Sequence, residues 1–480
     1  MKDIRDLLCP VDINLTEAFR RLNQNGKGIL FVVDRNLEFV GTLTDGDLRR
    51  GILTQKSIDF KIAECVCRHA LTAGIDEKPQ VIIEQIKKRP IPVSIVPLLE
   101  EGRVVDYFEF KSGFHFPIAS STLDGDEILN LIECVNTNWI SSQGRFVRKF
   151  EDEFANKYQT AFGVATMNGT AALHLALSAL GIGPGDEVIV PSLTFAATVN
   201  AVIYTGATPV IVDVDQESWC LDPEAVEEQI TSKTKAIIPV HLYGQPCDME
   251  KIESLAKKNN VKVIEDCAQA PGAKFGDRFV GTIGDIGCFS FFGNKIITTG
   301  EGGMCLTKSP ELNEKMRLLR DHGMDRTRRG YYHTAVGFNY RMTNMQAAVG
   351  VAQLEKIDKI HARRLEIEKI YQKKMSRLSS FQAQQNLPNR KKVCWLVSFL
   401  FENKGLARDD LIDLLVKKGI DVRAFFIPMH EMKIYEKYTR GDCPVAGGLS
   451  RKGLNFPTTL DLTEEKITTI VNMIRPHVSG

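Results

Sequence analysis

The stretch Cys288-Phe-Ser290-Phe-Phe-Gly293-Asn294-Lys295-Ile-Ile-Thr-Thr-Gly300-Glu-Gly-Gly303-Met304 runs from an apolar strand into a glycine turn that presents one lysine. Glycines let the backbone approach a flat ring or a phosphate closely. A lysine screened from water has a lowered pKa, and its amine becomes a nucleophile that can form an imine. An ordinary surface lysine needs neither the apolar strand nor the glycines. We therefore predict that Lys295 is a Schiff-base lysine.

A second segment, Met167-Asn-Gly169-Thr170-Ala-Ala-Leu, opens a predicted helix. The free N–H groups and the dipole of a helix N-terminus attract anions, and the Thr170 hydroxyl adds a donor. An ordinary threonine-capped helix has the same sequence, so this segment alone is ambiguous. Together with Lys295 it predicts a phosphate site at Gly169 and Thr170.

Two further segments suit a pyridine ring. Val261-Lys-Val-Ile-Glu265-Asp266-Cys-Ala-Gln269 ends an apolar strand with two carboxylates. A carboxylate keeps a pyridine nitrogen protonated, which makes the ring an electron sink, and Gln269 can donate to a phenolic oxygen. Phe195 follows another strand and can stack on the ring, although alone it also suits a core position, as Asp266 alone suits a helix cap. With Lys295, these residues predict a pyridoxal-phosphate (PLP) site.

The four segments lie in a region, 116–480, that alternates strands and helices in an α/β manner. Strands separated by helices indicate a largely parallel sheet, whose ligands gather at its carboxyl edge. Beyond residue 358 a long charged helix opens a mixed α/β region, so we expect a large domain at 116–357 and a smaller one at 358–480. The predicted strands are 187–190, 208–212, 236–240, 261–264 and 288–292, and the clearest predicted helices are 171–180 and 249–258.

Residues 1–110 have a different order of predicted helices and strands, and residues 111–115 form a short predicted linker. A helix at 15–23, strands at 29–33 and 39–43 and a helix that Thr44 can cap form one unit. A weaker copy follows, with a helix at 80–88 and strands at 91–98 and 103–108. The pattern predicts a separate α/β module built from two repeats.

This module resembles a CBS-domain pair, a unit that binds adenine nucleotides in many enzymes. The resemblance rests on Gly28-Ile-Leu-Phe-Val-Val-Asp34 and on Val40-Gly-Thr-Leu-Thr44-Asp-Gly-Asp47-Leu48. It implies that Thr44 and Asp47 contact the ribose and phosphate of an adenine or guanine nucleotide. The second copy has no Thr-x-x-Asp after Asp106, so at most one such site is expected. A purely structural or oligomerising module remains an open alternative.

From residue 116 onward the chain resembles the DegT/DnrJ/EryC1/StrS sugar aminotransferases, a branch of the type I PLP-dependent fold. Within that family, the branch of GDP-perosamine synthases carries motifs similar to 289–304, to Leu318-Leu-Arg-Asp-His-Gly-Met-Asp325 and to Val336-Gly-Phe-Asn339-Tyr-Arg-Met. The resemblance implies a mostly parallel large domain, a smaller C-terminal α/β domain and bound PLP. The N-terminal CBS-like module departs from the usual pattern of the family.

Carried over residue by residue, the resemblance assigns Lys295 to the family's Schiff-base lysine and Asp266 to its pyridinium partner. Thr170 and Ser290 correspond to phosphate ligands of the same subunit. Asn339 matches an asparagine that reaches the phosphate from a neighbouring subunit, which implies a homodimer with shared active sites. Gln269 matches the family's residue near the phenolic oxygen, and Phe195 matches its stacking aromatic.

The resemblance also implies a reaction, the amination of a 4-keto-6-deoxy sugar on a nucleoside diphosphate, with GDP favoured over UDP or dTDP and L-glutamate as amino donor. A sugar dehydratase on the same fold is disfavoured, because that branch replaces the lysine by histidine and Lys295 is present. A non-catalytic nucleotide sensor is the remaining alternative. Candidate substrate residues, each with an ordinary surface or packing explanation, are Ser141, Arg326, Arg423 and His430.

Bulk composition excludes several other classes. The net charge of +1 gives no electrostatic reason to expect nucleic acid or an anionic membrane as a partner. No apolar segment approaches the length of a membrane span. Eleven irregularly spaced cysteines do not suggest a disulfide framework, and Cys65 and Cys67 lack a second pair in metal-ligand spacing, so we expect no metal site and a cytoplasmic location.

Overall fold

The computed structural model describes residues 4–55, 60–87, 93–110 and 116–478. The chain divides into two compact units, Met1–Gly113 and Phe114–Gly480. The linker expected at 111–115 lies outside the described residues. In the described part of the chain, no helix combines the length and the apolar character that a bilayer crossing requires.

The first unit contains two copies of one small sheet. In each three-stranded sheet the first strand runs parallel to the second, and the third runs antiparallel to the second. The predicted repeat is therefore present, although the strand expected at 91–98 begins at Ile95, and residues 88–92 are not described. The elements are β1 (Leu8–Pro10), α1 (Leu15–Asn25), β2 (Ile29–Val33), β3 (Phe39–Thr44), α2 (Asp45–Gln55), β4 (Ala73–Gly74), α3 (Pro79–Lys87), β5 (Ile95–Glu100) and β6 (Arg103–Glu109).

The two copies share a hydrophobic core. Phe31 from the first sheet packs in one cluster with Ile95, Val104 and Tyr107 from the second. The Phe39 N–H also donates to the carbonyl of Gly102 at 2.9 Å, which joins the sheets through the backbone. Each sheet also has a buried cluster of its own, and the shared cluster joins the two sheets into one compact unit.

The second unit is built on a seven-stranded sheet of order β7-β15-β14-β11-β10-β8-β9. All neighbouring pairs are parallel except the two that involve β15, so β15 alone runs in the opposite direction. The mostly parallel large domain is thus confirmed. Its elements are α4 (Glu127–Asn136), α5 (Arg145–Lys157), β7 (Phe162–Thr166), α6 (Gly169–Ala179), β8 (Glu187–Pro191), α7 (Ala196–Tyr204), β9 (Thr208–Val212), α8 (Pro223–Gln229), β10 (Thr234–Ile237), α9 (Met249–Asn259), β11 (Lys262–Asp266), β12 (Lys274–Phe275), β13 (Arg278–Phe279), β14 (Ile286–Ser290), β15 (Gly303–Thr307), α10 (Pro310–Arg320) and α11 (Asn344–Glu355).

The central strands are apolar on both faces because each face packs against helices. Ile189 of β8 points into one core, whereas its neighbours Val188 and Val190 point into the other. This alternation follows from the period of two in a strand. It explains why β8 and β9 read as continuous apolar runs in the sequence.

A smaller four-stranded antiparallel sheet, of order β16-β18-β20-β19, follows in the chain. Its core is formed with the helices around it, and the long charged helix expected near residue 358 is α12. Strand β17 pairs with β12, so this C-terminal part also extends the large lobe. The elements are α12 (Ile357–Met375), β16 (Phe381–Ala383), β17 (Arg390–Lys391), β18 (Val397–Phe401), α13 (Arg408–Lys417), β19 (Arg423–Ala424), α14 (Pro444–Lys452), β20 (Gly453–Phe456) and α15 (Glu464–Val478).

Candidate active site

A cavity of about 500 Å³ opens at the carboxyl edge of the large sheet. That volume lies within the range of small-molecule and cofactor sites. The large lobe supplies most of its walls from the ends of β7, β8, β11 and β14, and the smaller lobe adds Trp395 and Arg423. The cavity brings together these residues predicted from the sequence: Gly169, Thr170, Phe195, Asp266, Gln269, Ser290, Lys295 and Arg423.

The N-terminus of α6 faces this cavity. Asn168 caps the helix by accepting from the N–H of Ala171 at 2.8 Å, so Thr170 is not the capping residue. Gly169 and Thr170 belong to the first turn, whose N–H groups have no partner inside the helix. A Cβ atom on Gly169 would lie 2.7 Å from Cβ of Ser290, so only glycine lets the helix approach β14 this closely. The arrangement suits a phosphate.

Asp266 is the last residue of β11 and is 5% exposed. Its carboxylate accepts from the Thr198 hydroxyl at 2.9 Å and from the N–H of Ala268 at 3.1 Å. Burial raises the pKa of Asp266, while these bonds and the charge of Lys295 oppose the rise. The result is a buried carboxylate with fixed orientation at the wall of the cavity.

Lys295 follows β14 in the predicted glycine turn. The side chain is half-buried because it lines the cavity, yet burial of its amine lowers the pKa to about 8, against an opposing effect of Asp266. Its Nζ lies 4.0 Å from the ring centre of Trp395. A lysine with this pKa has an appreciable fraction of free amine near neutral pH, as nucleophilic chemistry requires.

Gln269 and Phe195 line other parts of the wall. The Gln269 oxygen accepts from the N–H of Tyr243 at 2.8 Å, which orients the amide and leaves its NH₂ to donate elsewhere. Phe195 is 59% exposed, and its ring centre lies 5.8 Å from that of Phe426. Phe195 is therefore not a core residue, and its ring is free to stack on a ligand.

Glu265, the second carboxylate of the strand end, has a different environment. It is fully buried and accepts from the backbone N–H groups of Gly281, Ile283 and Gly284 at 2.7 to 2.8 Å. His241 accepts from the Cys247 N–H through Nδ1, so its Nε2 donates to Glu265 at 3.1 Å. These bonds use both ring nitrogens of His241 and both carboxylate oxygens of Glu265. Glu265 thereby holds the loop that leads into β14.

Four candidate residues lie outside the lining of this cavity. Asn339 is exposed and forms a backbone bridge with Asp321, so within one chain it does not reach the site. Arg326 forms an ion pair with Asp321 beside a separate cleft, and Ser141 is exposed at the surface. His430 bonds to the Ser192 hydroxyl at 2.6 Å. Arg423, in contrast, lines the cavity.

In the first unit, Thr44 and Asp47 contact each other as a reciprocal cap. The Asp47 carboxylate accepts from the N–H and the hydroxyl of Thr44 at 2.8 and 2.6 Å, and the Asp47 N–H donates to the Thr44 hydroxyl at 3.3 Å. Arg50 adds an ion pair to the same carboxylate. The predicted cap is therefore present, and it fixes the start of α2.

Two residues of the site were not singled out from the sequence. Thr198 stands one helical turn after Phe195 and reaches Asp266, a contact that requires β8 and β11, with β10 between them, to end at the same edge of the sheet. Trp395 lies 100 residues beyond Lys295. Its contact with the amine depends on how the smaller lobe packs, and local sequence carries no sign of that.

The donor set fits PLP. A helix N-terminus and Ser290 suit a phosphate, a buried carboxylate suits a pyridinium nitrogen, and an amine with a lowered pKa suits an aldehyde. The close approach of Gly169 to Ser290 supports the fit most directly, because it brings two groups suited to phosphate side by side.

Comparison with known proteins agrees with this geometry. Residues 121–475 match the DegT/DnrJ/EryC1/StrS aminotransferase family, and residues 2–54 match the CBS domain. The chain is 48% identical to GDP-perosamine synthase of Caulobacter vibrioides over 356 residues, 74% of this chain and 96% of that protein. It is 45% identical to GDP-perosamine synthase of Escherichia coli O157:H7, over 76% of this chain and 99% of the other.

Among solved structures, an aminotransferase from Psychrobacter cryohalolentis is similar with a TM-score of 0.71 and 33% identity, covering 76% of this chain and all of that one. The 3-amino-5-hydroxybenzoic acid synthase is similar with a TM-score of 0.72 and 30% identity, covering 77% of this chain and all of the other. These matches extend over both lobes of the second unit. The chain belongs to the DegT/DnrJ/EryC1/StrS aminotransferase family and is a PLP-dependent aminotransferase with an N-terminal CBS domain.

Proposed function

We propose that the chain transfers the amino group of L-glutamate to the keto carbon of a GDP-linked 4-keto-6-deoxy sugar. The observation that carries this proposal is the shared cavity of Lys295 and Asp266, in a chain similar over most of its length to two GDP-perosamine synthases. The product would be a nucleotide-linked amino sugar for surface glycan or amino-sugar biosynthesis.

Asp266, Lys295 and the start of α6 would hold the cofactor. Gly169, Thr170 and Ser290 would bind its phosphate, and Asp266 would bond the ring nitrogen. Gln269 would donate to the phenolic oxygen, and Phe195 would stack on the ring. When bound, PLP supplies an aldehyde that the Lys295 amine attacks and a protonated ring that accepts electrons. Thr198 orients the Asp266 carboxylate towards its partner through the bond of 2.9 Å.

Lys295 also moves the protons of the reaction. Once the amino donor is bound, the lysine is a free amine, and its Nζ takes the proton from the donor Cα. In the second half of the reaction it delivers a proton to the sugar carbon that receives the nitrogen. A pKa of about 8 suits both roles, because the amine exchanges a proton readily near neutral pH.

Substrate recognition would use the guanidinium in the cavity wall. Arg423 lines the cavity and has an ion pair with Asp421 at 3.2 Å, so its guanidinium can bind a carboxylate or a diphosphate by exchanging that partner. Arg326, Ser141 and His430 remain proposals for sugar and diphosphate contacts. A screen of GDP-, UDP- and dTDP-linked keto sugars with glutamate, following release of 2-oxoglutarate, tests the substrate assignment.

Reduction with borohydride tests the cofactor lysine. The visible absorption band of the bound cofactor should disappear, and mass spectrometry should find the reduced adduct on Lys295. Lys295→Ala should abolish turnover, whereas Lys262→Ala, which removes an exposed lysine paired with Asp285, should retain it. Full turnover of Lys295→Ala, or no release of 2-oxoglutarate with any keto sugar, contradicts the proposal. The second result would favour dehydration or nucleotide sensing.

We also propose a homodimer with shared sites. Asn339 would reach the cofactor phosphate of the neighbouring subunit. A set of exposed apolar side chains supports an interface near α4, because monomeric surfaces rarely expose such stripes. The stripe comprises Ile128, Leu129, Ile132, Val135, Trp139 and Ile140.

Mixed dimers test the shared site. Lys295→Ala and Asn339→Ala are each expected to be inactive or nearly so as pure dimers. Subunits of the two variants, when exchanged, form dimers in which one site carries both changes and the other carries neither. Activity should therefore recover to about a quarter of wild type if the sites are shared, since half of the dimers are mixed and each has one intact site. No recovery, with light scattering showing a monomer, contradicts the dimer.

For the CBS-like module we propose binding of an adenine or guanine nucleotide at Thr44 and Asp47. Titration of the full chain with AMP, ATP and GDP should show saturable binding that Thr44→Ala weakens. Removal of residues 1–110 should leave transamination possible and change its control or assembly. Binding that is unaffected by Thr44→Ala places the nucleotide elsewhere.

We place the enzyme in the cytoplasm, since all eleven cysteines are free thiols and most are buried.

A further inference from the structure

Trp395 lies between β17 and β18 and meets the turn that carries Lys295. It is 4% exposed, and its indole N–H donates to the backbone carbonyl of Asn294 at 2.9 Å. The face of the same ring lies 4.0 Å from Nζ of Lys295. One side chain from the smaller lobe thus contacts both the main chain before the lysine and the amine itself.

Trp395 is held from two other directions. The ring of Tyr243 lies nearly parallel to it, at 16° and 6.1 Å between centres. The backbone carbonyl of Trp395 accepts from Nη1 of Arg364 at 2.5 Å. Arg364 is fully buried, and among the described residues no carboxylate forms an ion pair with it. A buried guanidinium without a counter-ion is destabilising unless its N–H groups are hydrogen-bonded. The bond from Arg364 satisfies one of these groups and holds the backbone at Trp395 in place.

We propose that Trp395 is the positioning residue of the Lys295 amine: its indole N–H fixes the lysine turn, and its ring shields Nζ from water. The inference rests on the proposed role of Lys295 and assigns the smaller lobe a direct part in setting the reactivity of that lysine. Trp395 acts through Lys295 and takes no proton itself.

Burial is the largest cause of the low pKa of Lys295. The charged group that opposes it is Asp266 on β11, and Glu301 and Arg423 also line the cavity. Removing the indole admits water beside Nζ, which favours the protonated amine. Loss of the cation–π attraction between the amine and the Trp395 ring would by itself lower the pKa of Lys295. This effect is smaller than that of burial, which is the largest cause of the shift. The pKa of Lys295 should therefore rise in Trp395→Ala.

The test is the pH profile of Lys295 acetylation in the full chain after removal of the cofactor. Trace labelling with acetic anhydride, read by peptide mass spectrometry, reports the free amine of Lys295 without any catalytic turnover. In wild type the profile should have its midpoint near pH 8. In Trp395→Ala the midpoint should rise by about one pH unit, so the fraction of free amine at pH 7 falls about tenfold.

Trp395→Phe retains a ring face and loses the N–H. Its midpoint should lie between those of wild type and Trp395→Ala. Trp219→Phe is the matched control, because Trp219 is equally buried and packs against Phe425 at 5.3 Å. Its profile should equal that of wild type. Circular dichroism shows which variants are folded, and Trp395→Phe keeps the test available if Trp395→Ala is not.

A midpoint that stays within about 0.3 units of wild type in folded Trp395 variants overturns the proposal. So does an equal rise in Trp219→Phe, because the effect would then be a general loosening of the fold. If borohydride reduction gave no adduct on Lys295, the proposed role of the lysine would be overturned instead. The labelling profile does not depend on that adduct, so the two failures are distinguishable.

Discussion

Replacing Lys295 by methionine should stabilise the cofactor-free protein, although it removes the residue on which activity depends. A lysine whose pKa falls from 10.5 to about 8 on folding costs stability, because the folded state binds protons less readily. At ~1.4 kcal/mol for each pKa unit, the cost is roughly 3 kcal/mol at neutral pH. This value already includes the attraction of Asp266. Water in the cavity reduces it, so we expect a gain of about 2 kcal/mol in Lys295→Met.

The pH dependence identifies the cause. Below pH 8 the amine is protonated in both states, and the full cost is present. As pH rises from 8 to 10.5 the folded state loses its proton first, and the cost disappears. The difference between Lys295→Met and wild type in urea unfolding should therefore be largest at pH 7 and shrink towards pH 10. Lys262→Met, which removes an exposed lysine, is the control variant in the same urea series. A difference that is constant with pH, or a variant less stable at pH 7, would refute the reasoning.

Three further changes have defined outcomes. Thr198→Val removes a donor from Asp266, so the carboxylate pKa rises further and PLP should bind about tenfold more weakly by absorbance titration. In Glu265→Gln an amide NH₂, which cannot accept, faces backbone N–H donors. The free energy of unfolding in urea should therefore fall by about 2–4 kcal/mol. Gly169→Ala places its Cβ against Ser290, and the unfolding free energy should fall by about 1–3 kcal/mol together with cofactor affinity; unchanged affinity would show that the helix start does not bind the phosphate.

The sequence predicted most of the candidate site because its parts are local motifs at strand ends. Gly169, Asp266 and Ser290 each follow or end a strand, and parallel strands bring such ends to one edge. The order of the strands was not predictable, because β7 (Phe162–Thr166) and β15 (Gly303–Thr307) are neighbours in space but far apart in the chain. Contacts that depend on that order, such as Thr198 with Asp266, were therefore missed.

Boundaries were less predictable than elements. The strand expected at 236–240 spans Thr234–Ile237, and the strand expected at 288–292 spans Ile286–Ser290. In the first case the chain stays buried through Val240, beyond the end of the regular strand. In the second, Phe291 is buried but Phe292 is 47% exposed. In the first unit, the repeated order of predicted helices and strands predicted both repeats. The match to the CBS domain covers residues 2–54, the first of the two.

The way the cavity is assembled has a consequence for the chain during its synthesis. Its walls come from residues as early as Ile118 and as late as Asn455, so most of the chain must have left the ribosome before the cavity exists. The first unit needs only the first 113 residues and can be complete much earlier. At roughly 5–20 residues per second, the interval between the two is tens of seconds. During that interval the nascent chain carries a finished N-terminal module and exposed sheet edges that later segments must cover. Vectorial folding therefore places its greatest aggregation risk on the aminotransferase unit.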